Sequence, residues 1–195
     1  MAARVVAIDQ DGRIFLINAS DPGDVSKPAW WEIPGGGIDP GESSAHACAR
    51  ELWEEAGIQR ARIGPVIWTQ HVNFTFAGYE FDQDEVIHVA LCDSSETTRP
   101  QGLELFEAMA FKGARWWTLE ELLANDEPTL PPRLRELLPP ILDGDYPDPP
   151  LHISDLCAGS RSASTARPFR GGGGCRAGRC RRPLRGRRPR HRCRW

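Results

Sequence analysis

Residues 36–58 read GGIDPGESSAHACARELWEEAGI, and the expectations for the rest of the chain follow from them. Gly35, Gly36 and Gly37 open a loop, where glycine admits backbone angles and close approaches that other residues do not. A helix-length segment follows. Ser43 or Ser44 can cap its start, because a hydroxyl accepts a bond from an early, otherwise unpaired N–H. Gly57 stands where a helix-ending glycine belongs. On that helix Glu51, Glu54 and Glu55 are spaced i, i+3, i+4 and share one face, while Ala45, Cys48, Ala49, Leu52 and Ala56 form an adjoining apolar stripe. Like charges at this spacing weaken an isolated helix. A hard divalent cation with oxygen ligands removes the conflict, and Mg²⁺ leaves coordination positions for water and a substrate phosphate.

The same residues resemble the Nudix box, G-x5-E-x7-R-E-U-x-E-E-x-G-U with U apolar. Gly36, Glu42, Arg50, Glu51, Leu52, Glu54, Glu55, Gly57 and Ile58 fit every fixed position, and residues 31–35 (WEIPG) look like the family's entry into the loop. The resemblance implies an α/β fold, the Nudix α/β/α sandwich with a mixed central sheet. It also implies a Mg²⁺-dependent pyrophosphohydrolase, with Mn²⁺ as a substitute ion, acting on a nucleoside diphosphate linked to another moiety. By the same resemblance Glu51, Glu54 and Glu55 bind metal, with the Gly36 carbonyl as a further ligand, and Glu54 or Glu55 orients the attacking water. Glu42 supports the ligands or holds an extra ion, and Arg50 orients a carboxylate such as Glu51 or Glu54. Some members take a general base from a loop outside the box; Glu107 is the first candidate here, then Glu104 and Glu85.

Composition divides the chain. Residues 1–156 carry 11 Lys and Arg against all 27 Asp and Glu, a charge of −16, whereas residues 157–195 carry 13 Arg and no acid. An acidic body argues against a nucleic-acid-coating role for the domain itself. The expected organisation is one domain over residues 1–146, then a Pro-rich junction and basic tail over 147–195. From residue 157 the Arg/Gly/Ser/Pro composition is too poor in apolar residues to offset ordering entropy, so disorder is expected. That tail reads as an extension without function, including the product of a reading-frame error, or as a nucleic-acid-binding arm, the only part suited to that partner. A zinc site at Cys175, Cys180, His191 and Cys193 fits no common spacing. Cys48 and Cys92 read as small core residues in a reducing cytoplasm. No stretch reaches the roughly 18 apolar residues of a membrane span, and the N-terminus lacks a signal-peptide pattern, so a cytoplasmic protein without a membrane partner is expected.

In chain order, residues 3–9 and 13–18 read as a hairpin around Asp11-Gly12. Residues 30–33, 63–76, 85–92 and 114–117 read as strands, residues 82–84 as part of a turn, and residues 93–112 as loop. Thr118 with Glu121 has the form of a capping box for a helix over 119–124, and residues 131–142 give a second, Pro-opened helix. The paired tryptophans Trp30/Trp31 and Trp116/Trp117 each turn one ring to a face, available for the core or for stacking on a base. His71 reads as a satisfied histidine rather than a base.

Substrate choice stays open. A proline 15 residues beyond the box marks some ADP-ribose enzymes, and Asn73 stands there; Phe74, Thr75 and Phe76 stand where dinucleoside-polyphosphate enzymes tend to have tyrosine. A nucleoside triphosphate or an NDP-sugar fits. The alternatives are a noncatalytic nucleotide-sensing module and an RNA-processing protein whose tail binds RNA. The sequence leaves oligomeric state open, a homodimer included.

Overall fold

The computed structural model describes residues 1–92 and 99–154. Strands β1 (Ala2–Ile8) and β2 (Ile14–Ala19) pair antiparallel with Ile8 opposite Ile14. The turn between them is organised by the Asp9 carboxylate, which accepts the N–H groups of Asp11 and Arg13 at 2.9 and 2.8 Å. Two further strands flank the Pro34 turn, β3 (Trp30–Glu32) against β2 and β4 (Gly35–Gly37) against β1. The triple glycine expected as loop is thus a short strand, with Gly36 opposite Ala3.

After helix α1 (Ser44–Ala56) come the long antiparallel strands β5 (Ala61–Phe76) and β6 (Tyr79–Cys92). Their two-residue turn is Ala77-Gly78, with φ of 50° and 81°, both in the left-handed region that suits strand twist. Asp82, Gln83 and Asp84, expected in the turn, lie within β6 opposite His71–Asn73. There Asp82 and Asp84 pair with the exposed His71 ring, which is a reason for acids to stand in a strand.

The expected loop over 93–112 holds helix α2 (Leu105–Ala110), and strand β7 (Phe111–Trp117) begins directly after it, three residues earlier than expected. Alone in its six residues Ala110 is buried, so the helix carried no apolar period to read. Helix α3 (Leu119–Ala124) has the expected cap: the Thr118 hydroxyl accepts the Glu121 N–H at 3.2 Å, and the Glu121 carboxylate accepts the Thr118 N–H. A two-residue strand β8 (Thr129–Leu130) precedes helix α4 (Leu134–Leu142), and β9 (Leu151–His152) runs parallel to β5.

The sheet order is β8-β3-β2-β1-β6-β5-β9, with β4 on β1 and β7 on β2. Parallel β1–β6, β3–β8 and β5–β9 pairs among antiparallel ones make it mixed. Alternation in β1 and β2 feeds two cores. Val5, Ala7, Phe15 and Ile17 face α1 with its Ala47, Cys48 and Leu52. Val6, Ile8, Ile14 and Leu16 face Leu122 of α3 and Leu134, Leu138 and Ile141 of α4. This is the expected α/β/α sandwich. Ile153, 4% exposed, belongs to the second core, so packing continues past the boundary expected at 146. The tail and its cysteines lie outside the described residues. Among the described residues no helix is long and apolar enough to cross a membrane.

Candidate active site

Helix α1 is fixed at both ends. Ser43 accepts the His46 N–H, and Gly57 at φ 69° turns its N–H back to Trp53 O. Of the expected stripe Cys48, Leu52 and Ala56 are buried, but Ala49 is exposed and Ala47 is buried in its stead; the small Ala47, Cys48 and Ala56 side chains let the helix lie close on β1, with Glu51 and Glu55 5% and 9% exposed. Glu51 and Glu55 converge with Glu107 of α2: one oxygen from each lies within 4.8 Å of the others. Glu107 is set from the opposite side by its own helix, its carboxylate accepting the Glu104 N–H at 2.7 Å.

Glu54 and Glu42 stand beside this cluster rather than in it, both held by Arg50. The guanidinium donates to Glu51 at 2.7 Å, to Glu54 at 2.9 Å, to both Glu42 oxygens at 3.1 Å and to the Gly37 carbonyl at 2.9 Å. One cation therefore ties the glycine strand to three box carboxylates. Its bond to Glu42 first, with the 39 N–H beside it, holds the Glu42 carboxyl below the usual range.

Electrostatics set the cluster apart. Burial, then the charges of Glu51 and Glu107, push Glu55 well above the usual carboxylate range, against the Gly35 N–H that donates to it at 2.8 Å. Burial also raises Glu51, opposed by Arg50. Glu107 is pushed up to about 7 by burial and by the charges of Glu51, Glu104 and Glu54. Three crowded carboxyls with raised proton affinity are what a cation would discharge.

Glu55 and Glu107 open onto a cavity of about 620 Å³. Trp30, Phe74, Phe76 and Leu137 give it apolar walls, and Arg4, Glu32 and Glu85 a charged floor. Of the two tryptophan pairs, Trp30 alone lines this cavity. Trp31 and Trp117 meet edge to face at 4.8 Å in one core, and Trp116 packs on Phe15 at 5.3 Å in the other.

Of the base candidates, Glu104 is exposed at the start of α2. Glu85, 2% exposed, has both oxygens engaged: Arg4 and Gln83 donate to Oε1 at 3.0 and 2.8 Å, and Gln70 to Oε2 at 2.6 Å. Burial would raise it, but Arg4 and these donors hold it below the usual range, which suits an anchor and not a base. Arg4 and Glu32 escaped the sequence reading. The available signal was a single charge inside each of two otherwise apolar or aromatic strand segments, where a charge needs a partner.

A mixed-sheet sandwich with a helix-borne carboxylate cluster beside a cavity is the class of α/β domain that the chain forms. The family model of the NUDIX domain matches residues 1–139, and the chain belongs to that family. Within it, 60 residues are 43% identical to an RNA pyrophosphohydrolase of Gluconobacter oxydans, covering 30% of this chain and 32% of that protein. A CTP pyrophosphohydrolase of Escherichia coli is 40% identical over 60 residues, 31% of this chain and 42% of the relative. The matches thus span less than half of these relatives' length. A NUDIX-family hydrolase structure from Clostridium perfringens superposes with a TM-score of 0.51 at 18% identity, over 73% of this chain and 94% of that one, which speaks for the fold.

Proposed function

We propose that the protein is a Mg²⁺-dependent hydrolase of a pyrophosphate linkage in a nucleoside diphosphate joined to another group, of the nucleoside triphosphate or NDP-sugar type. The observation that carries this reading is the convergence of Glu51, Glu55 and Glu107 within 4.8 Å. Their donor set is wholly carboxylate oxygen, the chemistry that suits Mg²⁺ or Mn²⁺. Bound there, such an ion supplies Lewis acidity and charge neutralisation to a diphosphate.

The chain's own residues do the rest. Glu51 and Glu55 would hold the ion from α1, and Glu107 would complete the set from α2. Glu107, on the opposite side of the cluster from α1 and open to the cavity, is also placed to take a proton from an attacking water. Arg50 keeps Glu42, Glu51 and Glu54 in register, so Glu42 and Glu54 act through it. The apolar walls of the cavity and the Trp30 ring offer a face on which a base can stack.

The test is phosphate and pyrophosphate release from triphosphates, NDP-sugars, ADP-ribose, dinucleoside polyphosphates and 5′-triphosphorylated RNA, with and without Mg²⁺, for the parent and Glu55→Gln. A metal-dependent hit that falls by about 10²-fold or more in the variant is expected, as for loss of a charged ligand. Metal-independent turnover, or turnover that survives in Glu55→Gln, refutes the assignment. Nucleotide binding without turnover on any of these favours a sensing module.

A further inference from the structure

We infer that Arg4 and Glu85 are positioning residues for the ion site, acting through the Pro34–Gly35 backbone on Glu55; this rests on the reading of that site given above. The path is continuous. Gln70 and Gln83 donate to Glu85, and Glu85 accepts Arg4 Nε at 3.0 Å. Arg4 Nη1 then reaches the carbonyls of Ile33 and Gly35, each at 3.4 Å, on either side of Pro34. The Pro34 carbonyl itself accepts the Val5 N–H at 2.9 Å. With three successive carbonyls occupied, the turn has one orientation, and in it the Gly35 N–H donates to Glu55 Oε2 at 2.8 Å.

Gly35 adds a steric lock. Its φ is +143°, and a Cβ there would stand 2.4 Å from the Ala3 carbonyl oxygen and 2.5 Å from Arg4 Cα. The strand carrying Arg4 and the turn carrying the Glu55 donor are therefore pressed together. Arg4 also faces Glu32 and Glu55 with its charge, so one cation offsets several acids at the cavity floor. Glu85 bonds to Arg4, Gln70 and Gln83 and not to Glu55 or Glu51, yet it holds the residue that holds the turn. Partners of this kind fix ligand orientation and their loss typically weakens metal affinity about 10–100-fold.

The experiment measures Mn²⁺ affinity by electron paramagnetic resonance on the full chain, for the parent, Glu55→Gln, Arg4→Met, Arg4→Lys and Glu85→Gln, with melting temperatures alongside. Glu85→Gln is isosteric and puts an amide donor against Arg4, Gln70 and Gln83. We expect Kd to rise about 10–100-fold in Arg4→Met and Glu85→Gln, and less in Arg4→Lys, which keeps the charge but loses the separate Nε donor to Glu85 and Nη1 donor to the carbonyls. Because Arg4 and Glu85 also line the cavity, the deciding readout is the Kd for Mn²⁺ measured without nucleotide, and kcat should fall with it. Leu138→Ala, which weakens the α4 core, should lower melting temperature and leave Kd unchanged, separating positioning from general stability. If the parent binds Mn²⁺ and Glu55→Gln does not, an unchanged Kd in folded Glu85→Gln overturns the inference alone. Should Arg4→Met not fold, Glu85→Gln still decides. A parent that does not bind Mn²⁺ overturns the site reading and this inference with it.

Discussion

Replacing Glu55 by Gln in the metal-free protein should stabilise the fold while destroying its ion site. Three carboxylates within 4.8 Å repel one another; at an effective dielectric near 20, each fully charged pair at that distance costs about 3.5 kcal/mol. The protein relieves part of this by retaining protons, as the raised Glu55, Glu51 and Glu107 show. Glu107 illustrates the sign. Its ordinary value is 4.5 and its folded value about 7, so between the two the folded state holds a proton that the unfolded chain has released. Stability contributed by that proton is present below the lower value and is lost as pH rises through the upper one. Without metal, the parent's melting temperature should therefore fall between about pH 5 and pH 8. A neutral amide at 55 keeps an oxygen for the Gly35 N–H and removes the charge that Glu55 gains as pH rises. We expect a gain of about 1–2 kcal/mol at pH 8, or about 2–8 °C in melting temperature for a domain of this size, shrinking toward pH 5. Excess Mg²⁺ should invert the order. At a hundredfold excess over Kd the parent gains about 2.7 kcal/mol and the variant little. Calorimetry with chelator and with Mg²⁺ at three pH values reads all of this. A variant less stable than the parent in chelator at pH 8 would falsify the repulsion argument.

Three further outcomes follow from the geometry. Gly35→Ala forces a Cβ to within 2.4 Å of a backbone oxygen at φ +143°, so a loss of roughly 2–4 kcal/mol in denaturant titration is expected; a loss below 1 kcal/mol would mean that the turn gives way easily. Arg50→Ala frees Glu42, Glu51 and Glu54 from their shared cation and should lower kcat/KM by about 10²-fold or more while weakening Mg²⁺ binding; near-parental kinetics would remove Arg50 from the site. Truncation after residue 154 should preserve melting temperature and turnover, whereas truncation after 146 removes Ile153 from the core and should cost about 2–4 kcal/mol; equal stability of the two would show that β9 adds nothing.

The box was legible because its chemistry is local. Cap, stripe and carboxylate spacing all lie within one helix, and the helix is found where that pattern puts it. The β1–β2 hairpin and the α3 capping box were legible for the same reason. Sequence could not show which acids converge. Spacing groups Glu51, Glu54 and Glu55, but burial of the small stripe rotates Glu51 and Glu55 inward and leaves Glu54 to Arg50. Glu107 could be singled out only by resemblance, since its helix has no apolar period. Arg4 and Glu85 are 81 residues apart and meet only because β1 and β6 lie parallel in the sheet. Short strands such as β8 and β9 carry two residues each, too few for alternation to register.

Glu107 gives one side chain two employers: its carboxylate closes the first turn of α2 and also reaches toward α1. If that site takes an ion as proposed, winding the short helix and gripping the ion draw on a common equilibrium. Ala108 is exposed, on the solvent side of the same turn. A glycine there, about 1 kcal/mol worse in a helix, would loosen the grip by up to about fivefold at full coupling. On the proposed reading of the site, ion affinity would then be set in part by a residue whose side chain supplies no ligand, through how willingly six residues coil.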